Sequence, residues 1–208
     1  MTMRRRKRKA QIMLLSLLIG LAAAVVWGGW SLREQQKLAD KVVRLHILAN
    51  SDSAEDQTLK LQVRDVVLAR AEELLRSSDG RGEAEETLRQ NLRELTLLAQ
   101  SAVREGGYGY SVRAELANTV FPTREYEEFS LPAGNYLALR VIIGEGGGKN
   151  WWCVVFPPLC SQTAADPVQT AMAAGLSEED VALMEENGGY LLKFKSIEIW
   201  EWLRRKFG

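Results

Sequence analysis

The sequence predicts an α+β fold: a single domain with a mixed or antiparallel sheet packed by helices, preceded by one N-terminal membrane or signal helix. Three observations carry that prediction. A basic run at residues 4–9 (RRRKRK) precedes an uncharged apolar segment at 12–30, the arrangement of an export or anchoring helix. Residues 42–48 alternate Val43, Leu45 and Ile47 with Arg44 and His46, the two-residue period of a half-buried strand with one polar face. Two helical segments then follow in succession, and several strand-like segments come after them, an order that suits helices laid on one face of a sheet.

The N-terminal segment nearly reaches the roughly 20 apolar residues needed to span a bilayer. Trp27 and Trp30 fall where an outer interfacial belt would lie, which fits an uncleaved anchor, whereas Ala22 and Ala24 form an A-x-A pattern that fits a cleaved signal. In both cases the basic cluster stays on the cytoplasmic side and everything after Trp30 lies outside the cytoplasm. Residues 31–41 read as a short polar helix or tether, and residues 42–208 as one extracytoplasmic domain, large enough to bury a core.

At the end of the first strand, Ser53 sits three residues before Asp56, the spacing of a helix N-terminal cap. Leu59, Val63, Val66, Arg70 and Leu74 then mark an apolar stripe, with the Arg70 stem covering core. Gly80 and Gly82 separate a second helix at 83–105, whose face is Leu88, Leu92, Leu95, Ala99 and Ala102. Gly106, Gly107 and Gly109 end it, and residues 110–116 alternate as a strand. Further strands are expected at 125–129 and 136–143, with residues 144–150 as a glycine hairpin loop into a strand at 151–156. A capped helix at 177–186, a strand at 190–194 and an amphipathic helix at 196–206 complete the order.

Composition narrows the function. Six of the 27 basic residues lie at 4–9, so the rest of the chain carries 21 basic against 27 acidic residues, a net charge of −6. An acidic exported part without a basic patch argues against nucleic acid as a partner. His46 is the only histidine, and Asp52, Asp56 and Asp65 lie on different elements, a poor metal-ligand set. The GEGGG run at 144–148 lacks the Lys-Ser/Thr pair and following helix of a phosphate cradle, so no cofactor is expected. Cys153 with His46, oriented by Asn50, has the residue types of a thiol nucleophile, without a local nucleophile signature.

Cys153 and Cys160 are the only cysteines, and Pro157 and Pro158 favour a bend between them. A disulfide is expected outside the cytoplasm, with two separate buried thiols as the alternative. Trp151 and Trp152 should point to opposite faces of their strand, one into the core and one exposed as a candidate binding hot spot.

The run LHILANSDSAEDQTLKLQVRD at 45–65 resembles the opening signature of the stage II sporulation protein R family, and the resemblance continues through NYLALRVII at 135–143 and NWWCVVFPPLC at 150–160. It implies a non-enzymatic signalling protein made in the forespore and exported across its membrane into the intermembrane space. There it would trigger a membrane-embedded aspartic protease of the mother cell to process pro-sigma-E. Expected partner contacts are His46, Asn50, Asp52, Asp56, Arg64, Trp151 and Trp152, with the membrane met through residues 12–30. The competing expectation is an exported hydrolase using Cys153 or His46 on cell-wall or peptide material.

Overall fold

The computed structural model describes residues 2–126, 129–160 and 167–184. The chain divides into two compact units, Met1–Lys37 and Leu38–Gly208. The first is formed by helix α1 (Thr2–Ala39), which also supplies the first residues of the second unit. Large apolar side chains from Ile12 to Trp30 are exposed along α1, and the helix from Gln11 onward is long and apolar enough to cross a membrane. The 19 residues of 12–30 span about 28 Å at about 1.5 Å per residue, close to a bilayer's hydrocarbon thickness. This N-terminal apolar helix is consistent with a signal or an anchor. The polar stretch after Trp30 continues as helix rather than loose chain, and Leu38, Ala39 and Val42 are buried in the second unit.

The second unit is a mixed α+β structure. Strand β1 (Val43–Leu48) is followed by α2 (Ala54–Leu75), α3 (Arg81–Gln90) and α4 (Leu92–Glu105). Then come β2 (Val112–Phe121), the short pair β3 (Arg124–Glu125) and β4 (Ser130–Leu131), β5 (Gly134–Ile143) and β6 (Asn150–Phe156), and helices α5 (Pro167–Ala173) and α6 (Glu178–Met184). The four-stranded sheet has the order β2-β5-β1-β6, with β1 parallel to β5 and antiparallel to β6, and β2 antiparallel to β5. Strand β1 is therefore interior, and it is buried on both faces rather than half-buried. Val43, Leu45 and Ile47 join Leu139, Val141, Cys153 and Val155 against α2 to α4. The opposite face carries Tyr136, Ala138 and Val154, packed with Phe121, Phe129, Leu131 and residues of α5 and α6. Layers on both faces replace the single helical layer expected from the order of elements.

Two helical expectations change in detail. Along α2 the buried line is Leu59, Val63, Val67, Ala71 and Leu75, a straight i+4 row facing the sheet, while Val66 and Leu74 pack at its margin. Arg70 points outward to Glu94 (2.6 Å) and Glu73 (2.7 Å) instead of covering core. The helix expected at 83–105 is two helices broken at Asn91, whose side-chain amide turns back to the Thr87 carbonyl at 2.8 Å.

The strand expected at 136–143 is present, and that expected at 110–116 starts two residues later, at Val112, and runs on to Phe121 as β2, whose ten residues all pair with β5. Of the segment expected as a strand at 125–129, Glu125 ends the two-residue β3, which pairs with β4 at Ser130–Leu131 just beyond that segment. Helix α6 is capped as expected: Ser177 Oγ accepts from the Asp180 N–H (3.3 Å), and the Asp180 carboxylate accepts from Ser177 and Lys41. The strand at 190–194 and the helix at 196–206 lie outside the described residues.

The largest departure concerns residues 144–149. They do not turn β5 back onto β6 as a hairpin, because β1 lies between those strands. The segment instead crosses the end of β1 and delivers β6 to its other side.

Candidate functional site

The chain leaves β1 at Leu48 and enters α2 through residues 49–53, and this turn is built on Asp56. Ser53 caps the helix, its hydroxyl accepting the Asp56 N–H at 3.1 Å. The Asp56 carboxylate, itself buried, accepts from Ser51 Oγ at 2.5 Å and Asn50 Nδ2 at 2.9 Å. Those hydrogen bonds, from Ser51 foremost and then Asn50, hold its carboxyl below the usual carboxylate range. Gln57 closes the turn by donating to the Ser51 carbonyl at 2.8 Å.

Residues 144–149 clasp this turn from outside. Gly148 N–H donates to the Ala49 carbonyl (3.0 Å) and Gly147 N–H to the Asn50 carbonyl (3.1 Å). Glu145 N–H donates to Asn50 Oδ1 (3.1 Å), and Lys149 N–H to Asp52 Oδ1 (2.6 Å). Lys60, mostly buried on α2, donates to the Lys149 carbonyl at 3.1 Å and to Gln57 at 2.6 Å, and burial lowers its pKa. Glycine is required here by close approach: a Cβ on Gly148 would lie 2.2 Å from the Ser51 carbonyl oxygen. One on Gly144, whose φ is +57°, would lie 2.3 Å from Asn50 Oδ1. The glycine run is thus a clasp: the amides of Glu145, Gly147 and Gly148 are spent on the chain's own turn, and those of Gly144 and Gly146 on the Ser111 and Ile143 carbonyls.

Not all the expected contact residues share one surface. Asp52 is exposed beside Ser53, Ala54 and Glu55 at the start of α2, whereas Asp56 is buried and occupied. Arg64, one face of α2 further on, lies over the Trp151 ring at 5.1 Å. Asn50 spends its side chain on Asp56 and Glu145. His46 and Trp152 lie on the other face of the sheet, stacked at 5.8 Å. Trp151 and Trp152 do occupy opposite faces, but both are partly buried, so neither is the freely exposed indole expected from the strand period.

His46 Nε2 meets Asn150 Oδ1 at 2.8 Å, and burial pushes the imidazole below its ordinary value. Cys153 and Cys160 are joined as a disulfide with Cα atoms 6.2 Å apart, and the bridge agrees with an extracytoplasmic location. Cys153 packs on the α2 face and His46 on the other, so a thiol–imidazole pair does not assemble. Among the described residues no three His, Cys, Asp or Glu side chains are grouped to hold a metal ion.

The clasp residues Gly144, Gly148 and Lys149, the His46 partner Asn150 and the buried Lys60 are not among the residues that the sequence points to. Three successive glycines ahead of Lys149 were the available signal, read as a loop because nothing local says what it approaches.

The stage II sporulation protein R family profile matches residues 39–166, which contain the turn, its clasp, all four strands of the sheet and both cysteines. Stage II sporulation protein R of Bacillus subtilis (strain 168) is 38% identical over 123 residues, which are 59% of this chain and 55% of that relative. The matched stretch therefore covers about half the length of that curated relative. No solved structure gives a significant match. Because the profile takes in more than half of the chain, including every strand of the central sheet, the chain belongs to the stage II sporulation protein R family.

Proposed function

We propose that this protein is an exported sporulation signal that activates a membrane-embedded aspartic protease to process pro-sigma-E, acting by binding rather than by catalysis. The observation that carries the reading is the family match over residues 39–166, which takes in the clasped turn and the sheet that presents it. Two features agree with it. The apolar α1 provides for delivery across the forespore membrane into the intermembrane space, and the disulfide suits that compartment.

The proposed contact surface is the exposed start of α2 around Asp52, together with Arg64 over Trp151. A turn held by hydrogen bonds on both sides loses little freedom on docking, which favours affinity. Activation requires that this surface bind the protease's active state more tightly than its idle state, since equal affinity shifts no equilibrium.

Co-expression of the full chain, the protease and pro-sigma-E in a non-sporulating host tests the reading. Processing should appear only when the chain is present with its N-terminal segment. Processing that is unchanged by omitting the chain, or hydrolysis of peptide or cell-wall material by the chain alone, would overturn it.

A further inference from the structure

The two outer strands of the sheet are finished differently. Along β6 the register with β1 shifts between Val43 and Arg44, and the Val154 N–H is taken by Cys160 Sγ at 3.3 Å. Pro157 and Pro158 then follow the strand. At the other edge, β2 runs for ten residues in one unshifted register with β5 and contains no Pro, Gly or Lys. Bulges, prolines and lysines are the devices that keep a sheet edge from pairing with another chain, and β2 has none of them.

One hydrogen bond shows which of its main-chain groups face outward. Gly144 N–H donates to the Ser111 carbonyl at 2.8 Å, so these two residues form a hydrogen-bonded pair at the head of the ladder. The antiparallel alternation then turns the N–H and C=O groups of odd-numbered residues from Arg113 to Phe121 toward β5, and those of even-numbered residues from Val112 to Val120 away from it. Gln100 of α4 agrees with this phase: its side chain accepts from the Val112 N–H at 2.9 Å and donates to the Tyr110 carbonyl at 2.8 Å. Beyond that cap, the outward groups of Ala114, Leu116, Asn118 and Val120 meet no partner among the described residues.

We propose that this edge receives the β2 strand of a second copy of the chain, antiparallel and about a two-fold axis at Ala117, joining the two four-stranded sheets into one. The choice of a second copy rests on the strand's complementarity to itself. In this register Ala114 pairs with Val120 of the second copy and Leu116 with Asn118, so every open group is used, in about eight hydrogen bonds. Glu115 falls opposite Thr119 of the second copy, a hydroxyl facing a carboxylate, and no like charges are opposed. Sliding the strands toward their N-termini calls on the Val112 N–H that Gln100 holds, and sliding them toward their C-termini calls on Pro122, which has no N–H. The cap and the proline thus fix a single register. The pairing also covers apolar surface, because Val120, 60% exposed, comes to lie against Ala114 of the second copy. Neither the pairing nor its test depends on the function proposed above.

The test uses the full chain in detergent micelles, with cysteines introduced one at a time beside the intact Cys153–Cys160 bridge. At the axis, Ala117 meets its symmetry mate as a non-hydrogen-bonded pair with Cα atoms about 4.5 Å apart, within reach of a disulfide. Ala117→Cys should therefore form a disulfide-linked dimer under mild oxidation. Val120→Cys, at a more exposed position, should stay monomeric, because its mate lies six residues along the strand, about 20 Å away. Asn118→Pro removes an outward N–H and no bond to β5, so it should melt near the wild type while its light-scattering mass falls by half.

A wild type that is monomeric would overturn the proposal, as would an Ala117→Cys protein that does not cross-link, whether its edge is covered by the chain's own residues or by nothing. Equal cross-linking of both cysteine variants, the mark of random collision, would overturn it too. So would a folded Asn118→Pro that keeps the dimer mass. If Asn118→Pro does not fold, the contrast between the two cysteine variants decides.

Discussion

Asp56 ties the signature turn together, and its behaviour with pH follows from its partners. Its carboxyl sits below the usual range because Ser51 and Asn50 donate to the charged form. The stability it contributes is fully present above the unfolded value of about pH 4 and is lost as pH falls through the lower folded value. Acid titration of the wild type should therefore show a loss of stability below about pH 4, smaller in Asp56→Asn. An identical acid profile in the two proteins would refute this role. Asp52 offers the contrast. Its carboxylate accepts only the Lys149 N–H among the hydrogen bonds found for it, and an amide oxygen can do the same. Asp52→Asn should thus melt close to wild type while weakening processing of pro-sigma-E. Full processing by that variant would exclude Asp52 from the interface. Ser53→Ala, which removes the cap, should cost about 1 kcal/mol in a denaturant melt. The cap was legible because its partners lie three residues apart. The clasp was not, because Gly148 meets Ser51 across 97 positions, and glycine carries no pattern that names its neighbour.

At the scale of elements, the glycine segment fixes how β6 reaches β1. Gly148→Ala places a Cβ against the Ser51 carbonyl and should destabilise the domain by about 1–3 kcal/mol, the range for overpacking. Gly147→Ala, whose Cβ would meet the Asn50 carbonyl oxygen at 3.4 Å, should be milder. Equal midpoints for the two variants in urea would contradict the clasp. The disulfide closes a loop across a sequence separation of 7. Removing it by Cys160→Ser should cost about 2.5 kcal/mol in the chain-entropy account, read from denaturant midpoints without reductant. Strand segments at 43–48 and 136–143 were readable because the first alternates apolar residues with Arg44 and His46 and the second is apolar and β-branched except at Arg140. Their pairing was not, because side-chain period reports a face and never a neighbour. The same limit hid the break at Asn91, since Leu88, Leu92 and Leu95 keep a helical spacing straight across it.

For the whole molecule, the predicted domain start at 42 falls inside the packed unit. Leu38 and Val42 are fully buried and Ala39 nearly so. A chain beginning at residue 31 keeps these three side chains, whereas one beginning at 43 loses them, at about 1–3 kcal/mol for each large apolar group. Circular dichroism melts of the two should differ by several degrees, and coincident melts would show that the α1 end contributes nothing. The fold class was legible from the order of strand, helices and strands. The second covering layer was not, because Phe121, Phe129, Leu131 and the short α5 and α6 give no strong period of their own.

The interior place of β1 also sets a clock. Its two neighbours, β5 and β6, arrive about 90 and 105 residues later in the sequence, so the sheet is dominated by contacts of long sequence separation. A chain threaded N-terminus first through an export channel emerges with β1 exposed and unpaired until residue 156 has crossed. The turn at 49–53 waits equally long for residues 144–149 to clasp it. In the proposed signalling role, the contact surface is therefore incomplete until about three-quarters of the chain has crossed. A chain stalled before Phe156 could not complete the surface proposed to bind the partner, so under that proposal only a chain delivered past this point would be read on the far side.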